Sequence, residues 1–323
     1  MTIIDLFAGP GGWSEALTSL NHSEIGLEWD SKAIDTARAA GHIRVNADIS
    51  KTEPSNYEAR GLIGSPPCQA FSNAGKGLGR KNLNLVSFGM KKIHQGAGIE
   101  IIDELGQNCG DIRAGLVVSP LIWARQLKPD WIALEQVATV LPAWKEMAKY
   151  LALEGYDVEV SLLNSADFGV AQSRRRAILV AKKGGVSLPV GTSKRLSVHD
   201  VLPSSKEYTH IKHNAGHRAR PRVDGKQIVN TPQGDYYQRF DLSLPSPTLT
   251  TQLSAWKFDS PERISDMMWK TSEDSRQITI EEFSTIQSFR SDYPWQGTKG
   301  DIHRQIGDTI PPKLAAAILE KLL

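Results

Sequence analysis

Short apolar runs alternating with helix-like stretches constrain this chain more than any other feature. Thr2–Leu6, Ile25–Glu28, His42–Asn46, Leu62–Gly64 and Trp131–Leu134 read as strands. Between them Gly12–Leu20, Ser31–Ala40 (with Ser31 as cap) and Leu116–Gln126 read as helices. Pro142–Glu154 continues as helix, and Asp157–Leu163 and Ala177–Ala181 as further strands. Strands that are apolar at nearly every position are buried on both faces, and helices between them bring successive strands into parallel pairing. The pattern predicts an α/β fold with a Rossmann-like, doubly wound sheet. It stops at Lys182-Lys183-Gly184-Gly185, and the chain is turn-rich to about Ser275. Helical signals return at Thr279–Gln287, with Thr279 as cap and Glu282 three residues on, and at Pro312–Leu323. The expected division is a main domain of residues 1–182 and 276–323 with a smaller inserted domain, 183–275.

At 323 residues and 40% hydrophobic, the chain can bury a sizeable core. Two cysteines, Cys68 and Cys109, cannot build a disulfide framework and offer no metal-ligand spacing. His213-x-x-x-His217 has a helical ligand spacing, but no Glu follows His213 and no cysteine pair is near, so no metal is expected. The start, Met1-Thr2-Ile3-Ile4-Asp5, runs straight into a strand, and no apolar run approaches membrane-spanning length. A soluble, cytoplasmic protein is expected. Net charge is only +2, yet Lys194–Lys226 holds eight Lys/Arg and four histidines against three acids. Such a local excess among Gly, Pro and Ser suits a phosphate-binding surface. Of the scattered aromatics, Tyr236, Tyr237 and Trp256 are expected in the core of the small domain.

Two local patterns carry chemistry. Asp5-Leu6-Phe7-Ala8-Gly9-Pro10-Gly11-Gly12 is a glycine-rich turn from strand to helix, where backbone amides can meet a ligand. A dinucleotide loop would place a third glycine at position 14, which is Ser14. Glu28 closes the second strand and can accept from ribose hydroxyls, Trp29 beside it can pack on adenine, and Asp48 can accept from an adenine amino group. Together they read as a nucleoside site without a pyrophosphate. The second pattern, Pro66-Pro67-Cys68-Gln69-Ala70-Phe71-Ser72, sets a cysteine in a proline-stiffened turn at the end of an apolar strand. Cys68 is the candidate nucleophile, and Cys109, without such a setting, is expected to be structural.

In motif order, these residues resemble the cytosine-C5 DNA methyltransferases of prokaryotic or phage type. The glycine-rich turn looks like their cofactor motif, Glu28-Trp29 and Asp48 like the two that follow, and Pro66–Ser72 like their Pro-Cys-Gln loop. Asp111-x-Arg113-x-x-Leu116, Leu134-Glu135-Gln136-Val137 and Gln172-Ser173-Arg174-Arg175-Arg176 are similar to later motifs. Arg276–Phe289 and Ile306-Gly307-Asp308-Thr309-Ile310-Pro311-Pro312 resemble the last two. Gln136 and Asp308 depart from the asparagines usual at both places. The first lengthens a side chain thought to tie the catalytic loop to the glutamate strand, and the second brings a carboxylate near the expected methionine end of the cofactor.

The resemblance implies transfer of a methyl from S-adenosylmethionine to C5 of a cytosine flipped out of double-stranded DNA, leaving S-adenosylhomocysteine. It implies Cys68, Glu135, Arg174 and Arg176 as catalytic residues. Cofactor contacts would come from Phe7, Ala8, Gly9, Pro10, Gly11, Gly12, Glu28, Trp29, Asp48, Ile49, Pro67, Leu116, Asp308 and Thr309. Arg175, alternating with its neighbours, should face the other way. The glycine- and lysine-rich stretch Asn73–Gly110 looks like a lid closing over DNA, with an extra helix within Ile99–Leu105. Residues 183–275 resemble the target-recognition domain. A monomer is expected, with a cognate restriction endonuclease acting separately as one candidate partner. A tRNA cytosine-C5 methyltransferase and a catalytically silent DNA-binding homologue are the alternatives.

Overall fold

The computed structural model describes residues 2–72, 77–192, 194–214, 227–230, 236–249, 256–260, 262–265, 268–270 and 275–323. They fall into two units: Met1–Asn164, Arg175–Gly191 and Leu314–Leu323 in the first, Ser165–Arg174 and Thr192–Lys313 in the second.

The first unit is built on strands β1 (Ile3–Leu6), β2 (Ile25–Glu28), β3 (Ile43–Asn46), β4 (Gly61–Gly64), β5 (Trp131–Val137) and β6 (Asp157–Asn164). The two-residue β7 (Gln172–Ser173) belongs to the second unit, and β8 (Arg175–Lys182) returns to the first. The sheet order is β3-β2-β1-β4-β5-β8-β6, parallel from β3 to β5, with β8 antiparallel to both β5 and β6. β1 and β4 are buried at every position, as their unbroken apolar runs require. The Rossmann-like expectation is met.

Helix α1 (Gly12–Ser19) follows β1 and α2 (Ser31–Ala39) follows β2. The cap of α2 is Asp30, not Ser31: its carboxylate accepts from the amides of Lys32 and Ala33, and Ser31 is already helical. After β4 come α3 (Leu78–Lys81), α4 (Leu83–His94), α5 (Glu100–Cys109), α6 (Ile112–Gly115), α7 (Ser119–Leu127) and α8 (Leu141–Leu153).

The stretch expected as a lid is largely helical, and the extra helix expected within Ile99–Leu105 is α5. Val86, Met90, Ile93, Ile101, Ile102, Leu105 and Cys109 join the main core, and only residues 73–76 of it lie outside the described residues. Some of its glycines serve close packing: a Cβ on Gly89 would lie 2.4 Å from Leu105, and one on Gly106 2.7 Å from the Ile112 backbone. Just beyond the stretch, a Cβ on Gly115 would lie only 2.0 Å from the Ile102 carbonyl oxygen.

In the second unit β7 pairs in parallel with β12 (Ser246–Pro247). Its larger sheet contains β9 (His210–Asn214), β10 (Gln227–Asn230), β11 (Tyr236–Asp241), β13 (Trp256–Asp259), β14 (Glu262–Ser265), β15 (Met268–Lys270) and β16 (Arg276–Gln277), ordered β14-β15-β10-β11-β9-β13-β16. A core of its own includes Val198, Ile211, Leu249, Trp256, Phe258, Phe283 and Ile306, so Trp256 is a core residue as expected. Helices α9 (Val198–Val201), α10 (Ile280–Ile286) and α11 (Lys299–Asp308) belong here, and Thr279 with Glu282 forms the predicted capping box of α10. The last helix, α12, spans Pro312–Leu319. Among the described residues no helix is long and apolar enough to cross a membrane.

Candidate active site

The site in the first unit begins where β1 ends. Phe7, Gly9 and Gly11 all take positive φ (61, 55 and 117°), which turns the chain sharply into α1. The outer face of Gly9 is open, since an added Cβ would meet only the Phe7 carbonyl oxygen, at 4.0 Å. Ala8 and Pro10 are buried and tie the turn down, with the Ala8 amide donating to Leu27 O at 3.1 Å. Gly11 caps α1, and Gly12 opens it.

Glu28, ending β2, is nearly buried and accepts three backbone amides at 2.8 Å each: Gly9, Trp29 and Asp30. Burial raises its pKa despite those donors. Trp29 next to it is 69% exposed, leaving an indole available to a planar ligand. Asp48 accepts from the amide and hydroxyl of Ser50. Burial pushes its pKa up, but those bonds and Lys51 outweigh it, so it is held below the ordinary carboxylate range. Ile49 is buried in the core beneath. An open glycine turn, a held carboxylate, an exposed indole and an ionised Asp fit an adenosyl group.

Beyond β4, several bonds define the cysteine loop. The Cys68 carbonyl accepts from Phe71 (2.9 Å) and Ser72 (2.8 Å), closing a tight turn around the half-buried thiol. Before the turn, Ser65 N donates to Leu6 O at 3.1 Å, and the Trp13 indole of α1 donates to Ser65 Oγ at 3.0 Å. After it, Thr139 Oγ1 donates to Phe71 O at 2.7 Å and Gly79 N to Ala70 O at 3.0 Å. From β5, Gln136 Nε2 donates to the Pro66 carbonyl, while its Oε1 accepts from Val137 N. The longer side chain at this position thus makes the tie expected there of an asparagine. Pro67 and Leu116 are both half-buried.

Glu135, one residue before Gln136, is buried at 4% exposure. Arg176 on β8 reaches it with Nε at 2.8 Å. The register makes them diagonal neighbours, because Val137 lies opposite Arg176 and Glu135 opposite Ile178. Arg175 points to solvent between two buried arginines, as alternation predicts. Arg113, grasped by both oxygens of Asp111 at 2.9 Å, has its pKa raised chiefly by that bond, and the Cys68 thiol adds to the effect. Arg113 is thus an exposed cation whose charge is shared with Asp111. Sequence alone gives Arg113 no role, because its two-point grip by Asp111 shows only in the folded chain.

Arg174, Asp308 and Thr309 belong to the second unit. Arg174 is buried and donates to Gly307 O (2.8 Å) and Thr309 O (2.9 Å). Gln287 adds bonds to the Ile306 and Thr309 carbonyls. The two side chains clamp the end of α11, leaving Asp308 exposed and Thr309 half-buried. Of the expected basic surface, Lys194 and Lys206 are exposed, and Arg195 is paired with Asp167 at 2.7 Å. Lys212 is buried against Asp259 at 3.5 Å, so it is unsuited to phosphate. Arg218, Arg220, Arg222, Lys226 and His217 lie outside the described residues. Among the described residues no cluster of His, Cys, Asp and Glu could hold a metal.

Compared with known proteins, residues 1–91 and 105–323 match the family described as C-5 cytosine-specific DNA methylase. The unmatched stretch, 92–104, takes in the end of α4 and the start of α5. The chain is 25% identical over 350 positions to the type II methyltransferase M1.HphI of Haemophilus parahaemolyticus, covering 100% of this chain and 87% of that one. It is 25% identical over 345 positions to the type II methyltransferase M.HgiDI of Herpetosiphon aurantiacus (98% and 92% covered). Among solved structures, the Entamoeba histolytica methyltransferase EhMeth shares the fold with a TM-score of 0.67 at 15% identity, covering 100% and 97% of the two chains.

Proposed function

The chain belongs to the C-5 cytosine-specific DNA methylase family, and on that premise we propose that it is an S-adenosylmethionine-dependent DNA (cytosine-5)-methyltransferase. The observation that carries the reading is the Gln136 tether, which binds the Cys68 loop to β5, whose buried Glu135 pairs with Arg176 of β8. The end of β5 thereby joins the nucleophile's loop to a carboxylate and its paired guanidinium.

In this reading a target cytosine leaves the duplex, since its C6 is unreachable while stacked. The Cys68 thiolate forms a bond to C6, moving an electron pair toward C5 and breaking the ring's aromaticity. Glu135 hydrogen-bonds N3 and the exocyclic amine, which stabilises the electron-rich ring. Arg176 holds Glu135 in place and donates to the cytosine O2. S-adenosylmethionine, when bound across the Phe7–Gly12 turn, Glu28, Trp29 and Asp48, supplies the electrophilic methyl that C5 takes. Loss of the C5 proton to a base then expels the Cys68 thiolate and restores the double bond. Arg174 acts on the protein itself, fixing the Gly307–Thr309 turn. Target recognition is assigned to residues 183–275, and protection of a site from a separately acting type II endonuclease is the biological use this reading implies.

Covalent trapping tests it. The protein would be incubated with S-adenosylmethionine and a pool of DNA duplexes carrying 5-fluorocytosine, with an RNA pool in parallel. Fluorine at C5 blocks the final elimination, so a denaturation-resistant adduct with DNA, absent in Cys68→Ala, is the expected result. An adduct that survives in Cys68→Ala would sink the assigned nucleophile. An adduct with RNA alone would overturn the substrate, and none with either the activity.

A further inference from the structure

Arg44 stands on β3, the edge strand, with Ile43, Val45 and Asn46 exposed around it. Its own side chain is 0% exposed. Burying a guanidinium is costly unless its N–H groups find acceptors. Here they do. Nη1 donates to Glu24 Oε1 and to Ile43 O, both at 2.9 Å. Nη2 donates to Ser14 Oγ at 2.6 Å and reaches Ala8 O at 3.5 Å, and Nε donates to Gly9 O at 3.2 Å.

Three other positions are fitted to this one. Gly26 lies opposite Arg44 in the β2–β3 register, and a Cβ there would come within 2.5 Å of Nη1. Ser14, where a dinucleotide loop would carry glycine, supplies the shortest of the contacts. Glu24, itself buried, balances the charge.

We propose that Arg44 is a positioning residue for the cofactor, holding the Ala8–Gly9 turn in the conformation that aims Glu28. The peptide between Ala8 and Gly9 is gripped at both ends, its carbonyl by Arg44 and its N–H by the Glu28 carboxylate at 2.8 Å. The next peptide is held at Gly9 O by Nε. With Gly9 at φ 55°, a conformation glycine leaves readily, these contacts block a flip of either peptide. Glu28 therefore meets the ribose in a prepared orientation, and no ordering cost falls on binding. The proposal rests on the S-adenosylmethionine reading above.

Two variants test it: Arg44→Lys, which keeps the charge beside Glu24 but not the fork, and the charge-balanced Arg44→Met/Glu24→Gln. S-adenosylmethionine affinity would be measured by calorimetry, with thermal unfolding and the KM values for S-adenosylmethionine and DNA. Both variants should bind S-adenosylmethionine about tenfold more weakly, the scale of one lost charge-assisted hydrogen bond. The KM change should fall on S-adenosylmethionine and not on DNA. Wild-type affinity in a folded variant overturns the proposal, even if its melting temperature drops, because that marks a purely structural role. If the double variant does not fold, Arg44→Lys decides alone. A folded wild-type protein with no S-adenosylmethionine affinity would instead refute the cofactor reading, and this proposal with it.

Discussion

Asp5 carries an electrostatic cost at the head of the cofactor turn. It is fully buried, and neither carboxylate oxygen has a hydrogen-bond partner. Burial raises its pKa well above the usual range, with Arg44 the leading opposing influence. The folded protein thus keeps this proton to a higher pH than the unfolded chain, whose Asp titrates near ~3.9. Its contribution to stability is full below that value and is lost as pH rises through the raised folded pKa. Asp5→Asn should therefore be more stable than wild type at neutral pH and converge with it near about pH 3, where both side chains are neutral. Urea unfolding across pH checks this, and a constant offset would contradict it. Gln136 makes a different prediction. Gln136→Leu keeps the volume but strands the Pro66 carbonyl and the Val137 amide. It should cost about 1–3 kcal/mol in urea unfolding and lower methyl transfer further, by loosening the Cys68 loop. Cys68, Glu135 and the glycine turn were legible as residue types in order, and a tie from position 136 was expected; that the longer Gln136 still makes it was not legible. A Gln in place of Asn reads as a defect until its reach to Pro66 is seen.

Among the elements, β1, β2 and β4 were legible almost to the residue, because continuous burial leaves continuous apolar sequence. β5 runs three residues past the expected Leu134, because its end carries the polar Glu135 and Gln136. Of the α3–α6 segment only α5 was legible, as the helix expected within Ile99–Leu105. Glycine permits mobility and close approach alike, and only packing tells them apart. At Gly115 the near neighbour is a backbone oxygen of α5, which cannot move aside. At Gly89 it is the end of the Leu105 side chain, which can rotate. Gly115→Ala should accordingly cost at least about 1–3 kcal/mol, and Gly89→Ala clearly less. Equal costs in paired denaturation experiments would mean that α5 is not held in this packing.

For the whole molecule, a net charge of +2 gives no hint of a polyanionic substrate, and the local basic excess does. If residues 183–275 grip DNA through phosphates, affinity must fall steeply with salt. Lys194→Gln and Lys206→Gln should each shrink the slope of log K against log salt by about 1. Lys212→Gln should leave that slope alone and destabilise the fold by about 3–5 kcal/mol, since it strands Asp259 in the core. Filter binding over a salt series and thermal unfolding separate the two. The sequence by itself determined the fold class, the family and the order of the chemical groups. Those follow from burial periodicity and from residue types that local backbone geometry demands. Tertiary structure alone decided which side chains meet: Gln136 with Pro66, Arg44 beneath Gly9, Lys212 with Asp259. Each contact joins positions far apart in the chain, and the charge or amide that makes it carries no mark of its partner until folding removes the water around both.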